Sequence, residues 1–306
     1  MSDVVTVSVW WAVLAGALLV GLAAFAVALN VTLSARPDGG WFAPLYRAAR
    51  LLRQGRRTTI AADTVLWRTA SIGMFSGAFL MIAVVPLGRW VLADLGIGVV
   101  WFNTVDVLVW ALVWLVGWGA NSVYALVGGY RFLAQALAYE LPLMFALVAP
   151  AVATGSLRVT EIATVQQPVW FAIWMPIAFV VFLLGVMGFS VWGPFGAALA
   201  PDISGGVLTE LSGVDRLMFQ AGRYMFLAAG AAFSVPLFLG GGSGPVLPDW
   251  LWSLVKTIVV LAVLVWLRQK IVVLRPDRFM TLGWIVLLPA TVVQVLIVAL
   301  VVVWGG

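Results

Sequence analysis

The chain contains no cysteine and no histidine. It therefore supplies no disulfide, no thiolate-held iron–sulfur cluster, no Cys/His zinc site and no axial histidine for haem. A Ser-His-Asp triad is excluded as well. Charge is also scarce: charged residues make up 9% of the 306 positions, against about 25% in ordinary soluble domains. Hydrophobic residues reach 64% and the mean hydropathy is +1.11. Such a chain cannot cover a water-facing surface, so it reads as an integral membrane protein. Acids are scarcer than bases, 12 against 17. In so apolar a chain that excess belongs to lipid-facing loops rather than to nucleic-acid binding. Long polar stretches are missing too. Only 34–68 and 193–220 interrupt the apolar pattern at length, and neither is a soluble domain.

What remains is a series of apolar runs, each near the roughly 20 residues needed to cross a bilayer as a helix. Eight are expected, at about 9–33, 69–93, 98–119, 124–153, 168–192, 221–240, 250–270 and 280–304. The first lacks a basic leader and is too long for a signal peptide, so it counts as a true helix. The expected fold is an all-α, single polytopic membrane domain over 1–306 with no internal repeat. Basic residues set the orientation. Arg36, Arg47, Arg50, Arg53, Arg56, Arg57, Arg68, Arg131, Arg216, Arg223, Arg268, Lys270, Arg275 and Arg278 fall on one side of an eight-helix alternation. Only Arg89, Arg158 and Lys256 fall on the other. The even sides of the alternation are thus expected to face the cytoplasm, with both termini outside. Pro142, Pro150, Pro176 and Pro236 lie within spans and should kink them.

Within 34–68, Leu45, Ala48, Ala49 and Leu52 recur at helical spacing, with arginines mostly elsewhere on the wheel. This describes a short amphipathic helix at the interface. It is either a basic anchor for anionic lipid or a lid beside the way in for a lipophilic substrate. Ionisable groups inside spans are costly and usually functional or paired. Asp106 in the third span, and Arg131 and Glu140 in the fourth, are the candidates. Counting the helical rise puts Asp106 and Glu140 at comparable mid-membrane depth. Arg131 and Glu140, nine residues apart, point to opposite helix faces. Lys256, near the outer end of its span, should snorkel towards water.

The connection between the third and fourth spans reads Gly117-Trp118-Gly119-Ala120-Asn121-Ser122-Val123-Tyr124-Ala125-Leu126-Val127-Gly128-Gly129-Tyr130-Arg131, followed by Gln135, Tyr139 and Glu140. This run resembles subunit 1, the H-type membrane subunit, of respiratory complex I, the NADH–quinone oxidoreductase. Two further stretches carry the same resemblance: Thr209-Glu210-Leu211-Ser212-Gly213-Val214-Asp215-Arg216, and Asp277-Arg278-Phe279-Met280-Thr281-Leu282-Gly283-Trp284. The likeness covers nearly the whole chain and extends to eight spans with outside termini.

The resemblance implies a membrane subunit, in the cell (inner) membrane, without a metal or redox centre of its own. Such a subunit docks the peripheral arm with its iron–sulfur subunits and joins other membrane-arm subunits. It forms a chamber for the head of a quinone, which is the substrate, and helps link quinone reduction to proton translocation. Carried over by motif, Arg131, Tyr139 and Glu140, with Asp106, belong to the proton path. Glu210, Asp202 and Arg216 belong to the quinone chamber. No residue of this chain is implied to be catalytic on its own. Asn121, Ser122, Gly128 and Gly129 set the turn and close helix packing. The sequence departs from the family in its acids. The stretch Gly196–Ser204 carries Asp202 alone where the family is rich in glutamate. The stretch Asn30–Gly40 lacks the family's Glu-Arg-Arg run, and the helix after it gains arginines. These losses keep two other readings open. One is the anchor of a membrane-bound nickel–iron hydrogenase or formate hydrogenlyase; the other is a free-standing transporter.

Overall fold

A computed structural model describes residues 4–34, 40–166 and 169–305. Residues 35–39, Arg36 among them, lie outside these ranges, within the Asn30–Gly40 stretch. Among the described residues the fold is all-α apart from a two-residue parallel pairing of Val5–Thr6 with Trp90–Val91 and an isolated bridge between Leu87 and Trp90. Among the described residues, seven helices are long and apolar enough to cross a membrane: α1 (Trp11–Thr32), α3 (Thr64–Ile82), α4 (Gly98–Gly119), α5 (Val123–Thr154), α9 (Gly213–Phe238), α10 (Asp249–Lys270), and the continuous run of α11 (Pro276–Leu282) into α12 (Leu288–Gly305). The remaining expected span is broken in two. A single turn, α7 (Phe171–Trp174), is followed by α8 (Pro176–Phe189), which is 14 residues. Pro176 is the cause, since it pushes the preceding residue out of the helical region, and Met175 sits at ψ 58°. The second span begins at Thr64, five residues before the expected start at 69. Asp63 caps α3, its side chain accepting from the backbone N–H groups of Val65 and Leu66, the usual remedy for unpaired first-turn amides.

The amphipathic element is present as α2 (Ala43–Arg53). Ala43, Pro44, Ala48 and Leu51 face the protein, while Leu45, Ala49 and Leu52 lie on the exposed side, where an interfacial helix meets lipid. Leu51 is buried, whereas Leu45 and Leu52 are 68% and 60% exposed. A short extramembrane helix, α6 (Val159–Val165), precedes α7.

Contacts between loops sort the ends of the helices into two groups. At one end Asp63 N–H donates to the Gly119 carbonyl, Arg57 N–H donates to Ser212 Oγ at 2.8 Å, and Leu274 N–H donates to the Pro194 carbonyl. This end carries the arginine-rich segments and is called inner below. At the other, outer end Arg158 bridges Asp94 at 2.7 Å and Glu161 at 3.2 Å. The strand pair and Lys256 lie there as well. Helices approach closely where side chains are absent. A Cβ on Gly283 would come within 2.3 Å of the Ala138 carbonyl of α5. Just there the last helix runs as a π-helical turn over Gly283–Leu287, a local feature often found beside functional sites.

Lys256 does not snorkel. Its ammonium donates to the carbonyls of Leu239, Gly241 and Ser243 at 2.7, 2.9 and 2.8 Å. It lies 4.7 Å from the centroid of the Trp170 ring, an arrangement favoured by the ring quadrupole. The lysine thus ties down the turn that follows α9. Gln166 closes the same end, donating to the Pro236 and Leu237 carbonyls and accepting from Gly240 N–H. Lys256→Met removes all three donated bonds while keeping the stem. It is expected to cost roughly 1–3 kcal/mol of stability, read as a lowered Tm of the detergent-solubilised protein with no change in the inner-end contacts.

Candidate functional site

Three neighbouring features build the site. The first is a polar chain between α4 and α5. Asn103, Asp106 and Trp110 follow one another at three- and four-residue spacing and so share one face of α4. Gln135 and Tyr139 share a face of α5, with Glu140 beside them. Asp106 is fully buried and Glu140 is 7% exposed. The Tyr139 hydroxyl donates to Asp106 Oδ1 at 3.3 Å, and Asn103 Nδ2 donates to Glu140 Oε1 at 3.0 Å. Asp106 and Glu140 are close enough to interact directly. Among the described residues, Asp106 Oδ2 and Glu140 Oε2 have no hydrogen-bond partner outside the acid pair, and Asn103 Oδ1 has none. Buried polar atoms in this condition are few in native folds.

The second feature is the inner-end loop between α8 and α9, which is sewn to its surroundings by the motif residues. Arg131 grips Asp202 with both terminal nitrogens, at 3.0 and 2.8 Å. That guanidinium holds the Asp202 carboxyl below the usual carboxylate range. A depressed carboxylate adds stability above its ordinary pKa and loses it as pH falls through the lowered value, so strong acid should release this corner of the loop. Ser122 Oγ donates to Glu210 Oε1 at 2.9 Å. Asn121 adopts φ +44° and donates through its amide to the Ile60 carbonyl. At Gly128 a Cβ would meet the Ala198 carbonyl and the Val207 N–H, both at 2.7 Å; only glycine lets the loop lie directly on α5.

The third feature is a cavity of about 790 Å³ at the inner end between α1, α2, α9 and the start of that loop. Val20, Ala24 and Val27 of α1, with Pro44, Ala48 and Leu51 of α2, give it apolar walls. Its polar part comes from Asn30, Arg47, Gln220, Arg223, Tyr224 and Arg268. Arg223 is 7% exposed; its Nε donates to the Ser190 carbonyl at 3.3 Å and its Nη2 to the Val191 carbonyl. Arg268 stacks 4.3 Å above Trp192. Val191 holds φ +51°, a strained conformation for a β-branched residue.

The short segment Gly188–Val191 at the end of α8 joins cavity to acids. Arg223 binds its carbonyls from the cavity side. Gln135 donates to the Gly188 carbonyl at 3.1 Å from the other, and a Cβ on Gly188 would strike the Tyr139 ring at 2.6 Å.

The structure thus brings Asp106, Tyr139 and Glu140 together but leaves Arg131 apart from them, in the loop with Asp202. Glu210, Asp202 and Arg216 do not line the cavity, although Pro201, Leu208 and Leu217 near them do. Arg223, Arg268, Asn103 and Gln135 were not among the expected site residues. Arg223 had a readable signal, because it lies within the apolar stretch expected as the sixth span, yet it counts there only as a loop charge. No group of three or more acids suited to a metal ion occurs among the described residues.

A bundle of membrane-spanning helices enclosing a buried acid pair, beside a cavity walled by an amphipathic helix, defines a multi-pass membrane protein. Residues 30–299 match the family described as NADH dehydrogenase. An H-type NADH-quinone oxidoreductase subunit of Geobacter sulfurreducens is 34% identical over 269 residues, covering 84% of this chain and 82% of its own length. The H-type subunit of a Geobacillus species is 35% identical over 248 residues, covering 79% and 74%. That of Bacillus cytotoxicus is 33% identical over 273 residues, covering 86% and 82%. The chain belongs to the NADH dehydrogenase family and is similar to these H-type subunits over most of their length.

Proposed function

We propose that the chain is the membrane subunit of a complex I-type NADH–quinone oxidoreductase. It admits a quinone headgroup from the bilayer into the inner cavity and passes the consequences of its reduction to the Asp106–Glu140 pair. The observation that carries this reading is the continuity from cavity to acids. Apolar walls under α2 end at Arg223. That arginine grips Gly188–Val191 from one side, and Gln135 and Tyr139 hold the same segment from the other. A cavity of this size, mostly apolar with a few convergent polar groups, suits a small lipophilic ligand. The chain supplies neither thiolate nor imidazole, so electrons reach the quinone from a partner's iron–sulfur centre. The inner-end loop, with Arg131–Asp202 and Ser122–Glu210 fixing its shape, is the docking floor for that peripheral arm, and the remaining membrane-arm subunits receive the coupling. The cavity-bearing, arginine-rich end faces the cytoplasm of a cell whose inner membrane holds the protein, and both termini lie outside.

One observation favours a second reading, the anchor of a nickel–iron hydrogenase or formate hydrogenlyase. The loop acids are engaged by Arg131 and Ser122, so neither Asp202 nor Glu210 faces the cavity. Glu210→Ala separates the two. On the quinone reading it frees Ser122, loosens the loop beside Leu208 and weakens a quinone-site inhibitor several-fold in the assembled complex. Unchanged inhibition supports the hydrogenase-type anchor, and hydrogenase subunits co-purifying with the chain would establish it. A transporter acting alone would instead be stable without partners and move solute in liposomes.

A further inference from the structure

A second recess lies at the outer end, on the far side of the molecule from the inner cavity. It encloses about 460 Å³ between α1, the segment after α3, and α10. Trp11, Trp90 and Trp250 surround it at one level, with the Trp11 and Trp90 rings 5.8 Å apart. From there Leu14, Leu18 and Leu22 continue inward along one stripe of α1, faced by Leu254 of α10. Its hydroxyls are already engaged: Ser253 accepts from Gly88 N–H, and Thr257 donates to the Ser253 carbonyl. The recess is therefore apolar along its length. From Trp11 to Leu22 the helical rise amounts to roughly 16 Å, close to half of a hydrocarbon core of about 30 Å. It thus runs from the aromatic belt to the bilayer midplane, the depth of one acyl chain in one leaflet.

A cation stands at its mouth. Arg89 is exposed, and its guanidinium lies 5.7 Å from the Trp90 ring centroid. Its carbonyl is fixed by Val5 N–H. Its side chain has no ion pair among the described residues; Asp249, across Gly88, does not bridge to it. We infer that this recess binds one phospholipid of the outer leaflet, with an acyl chain between α1 and α10 and the phosphate on Arg89. Bidentate recognition of phosphate is the natural use of an unpaired guanidinium. A neutral isoprenoid tail would fill the slot equally well but would have no use for the arginine. The inference rests on the membrane-spanning helices alone and is independent of the quinone reading.

The test uses the intact complex in nanodiscs containing phosphatidylglycerol with a photoactivatable diazirine on its acyl chain. Illumination and peptide mapping should place crosslinks on the Leu14–Leu18 and Leu254 peptides. Leu18→Trp should remove these while leaving labelling elsewhere on the belt unchanged, and Leu254→Phe repeats the block from the opposite wall should the first variant fail to assemble. Arg89→Gln should lower recess labelling about fivefold, the worth of one cation at an anionic surface. A diazirine-bearing isoprenoid alcohol should label the recess weakly and without regard to Arg89. Labelling spread evenly round the belt and indifferent to Leu18→Trp means ordinary annular lipid and overturns the site. Equal labelling by the isoprenoid, unaffected by Arg89→Gln, overturns the phospholipid assignment.

Discussion

Glu140→Gln, made in the assembled complex, should leave the protein folded and the partners bound yet cut proton-coupled quinone reduction by roughly 10²-fold, the lower range for loss of a proton-transferring group. The amide keeps an oxygen to accept from Asn103 Nδ2 but carries no exchangeable carboxyl proton. Asp106→Asn should have a comparable effect, since it retains an acceptor for the Tyr139 hydroxyl. Because the two acids interact, the double variant should be scarcely worse than either single one, as expected for residues that act as a unit. The readouts are the rates of quinone reduction and of proton movement, each measured in proteoliposomes. Wild-type pumping in Glu140→Gln removes that residue from the mechanism. Multiplicative losses in the double variant would mean that the two acids act separately.

Ala24→Trp should act earlier, at binding. Ala24 lies in the α1 wall of the inner cavity, opposite the α2 residues Pro44 and Ala48. An indole there occupies the passage without touching Arg223 or the loop. Quinone reductase activity should fall to background while electron transfer from the donor to the peripheral iron–sulfur centres continues, and a quinone-site inhibitor should no longer bind. Undiminished turnover would mean that quinone reaches the complex by another route. Activity that is lost along with the peripheral arm would instead indicate an assembly defect, to be checked with Val27→Trp on the same wall.

The residues themselves disclosed much of this arrangement. The absence of thiolate and imidazole, the apolar runs and the segregation of arginines were enough for an all-α polytopic fold with an arginine-rich end. The pairing of Asp106 with Glu140 was readable because helical rise fixes depth once two adjacent spans are assigned. What stayed hidden depends on three-dimensional detail that periodicity does not carry. The break at Met175–Pro176 falls inside a run whose hydropathy is uninterrupted. Which residues of α2 face the protein is not fixed by spacing, since a short helix offers too few turns to set its rotation. Snorkelling of Lys256 assumes that water is the nearest acceptor, whereas the carbonyls of Leu239, Gly241 and Ser243, just past α9, are nearer. Arg131 was grouped with the acids by the motif, but its guanidinium reaches Asp202, some seventy residues later in the chain. Arg223 escaped notice because a charge close to a span boundary looks the same whether it faces solvent or lines a chamber.

Whether the inner cavity is where quinone binds is decided most directly by photolabelling the complex with an azido-quinone and mapping the modified peptides. Labels should fall on the α1 segment around Val20–Val27, on α2 around Ala48–Leu51 and on α9 around Gln220–Tyr224, and Ala24→Trp should abolish them. Labels confined to other faces of the chain, or persisting at full yield on these peptides in Ala24→Trp, would contradict the account.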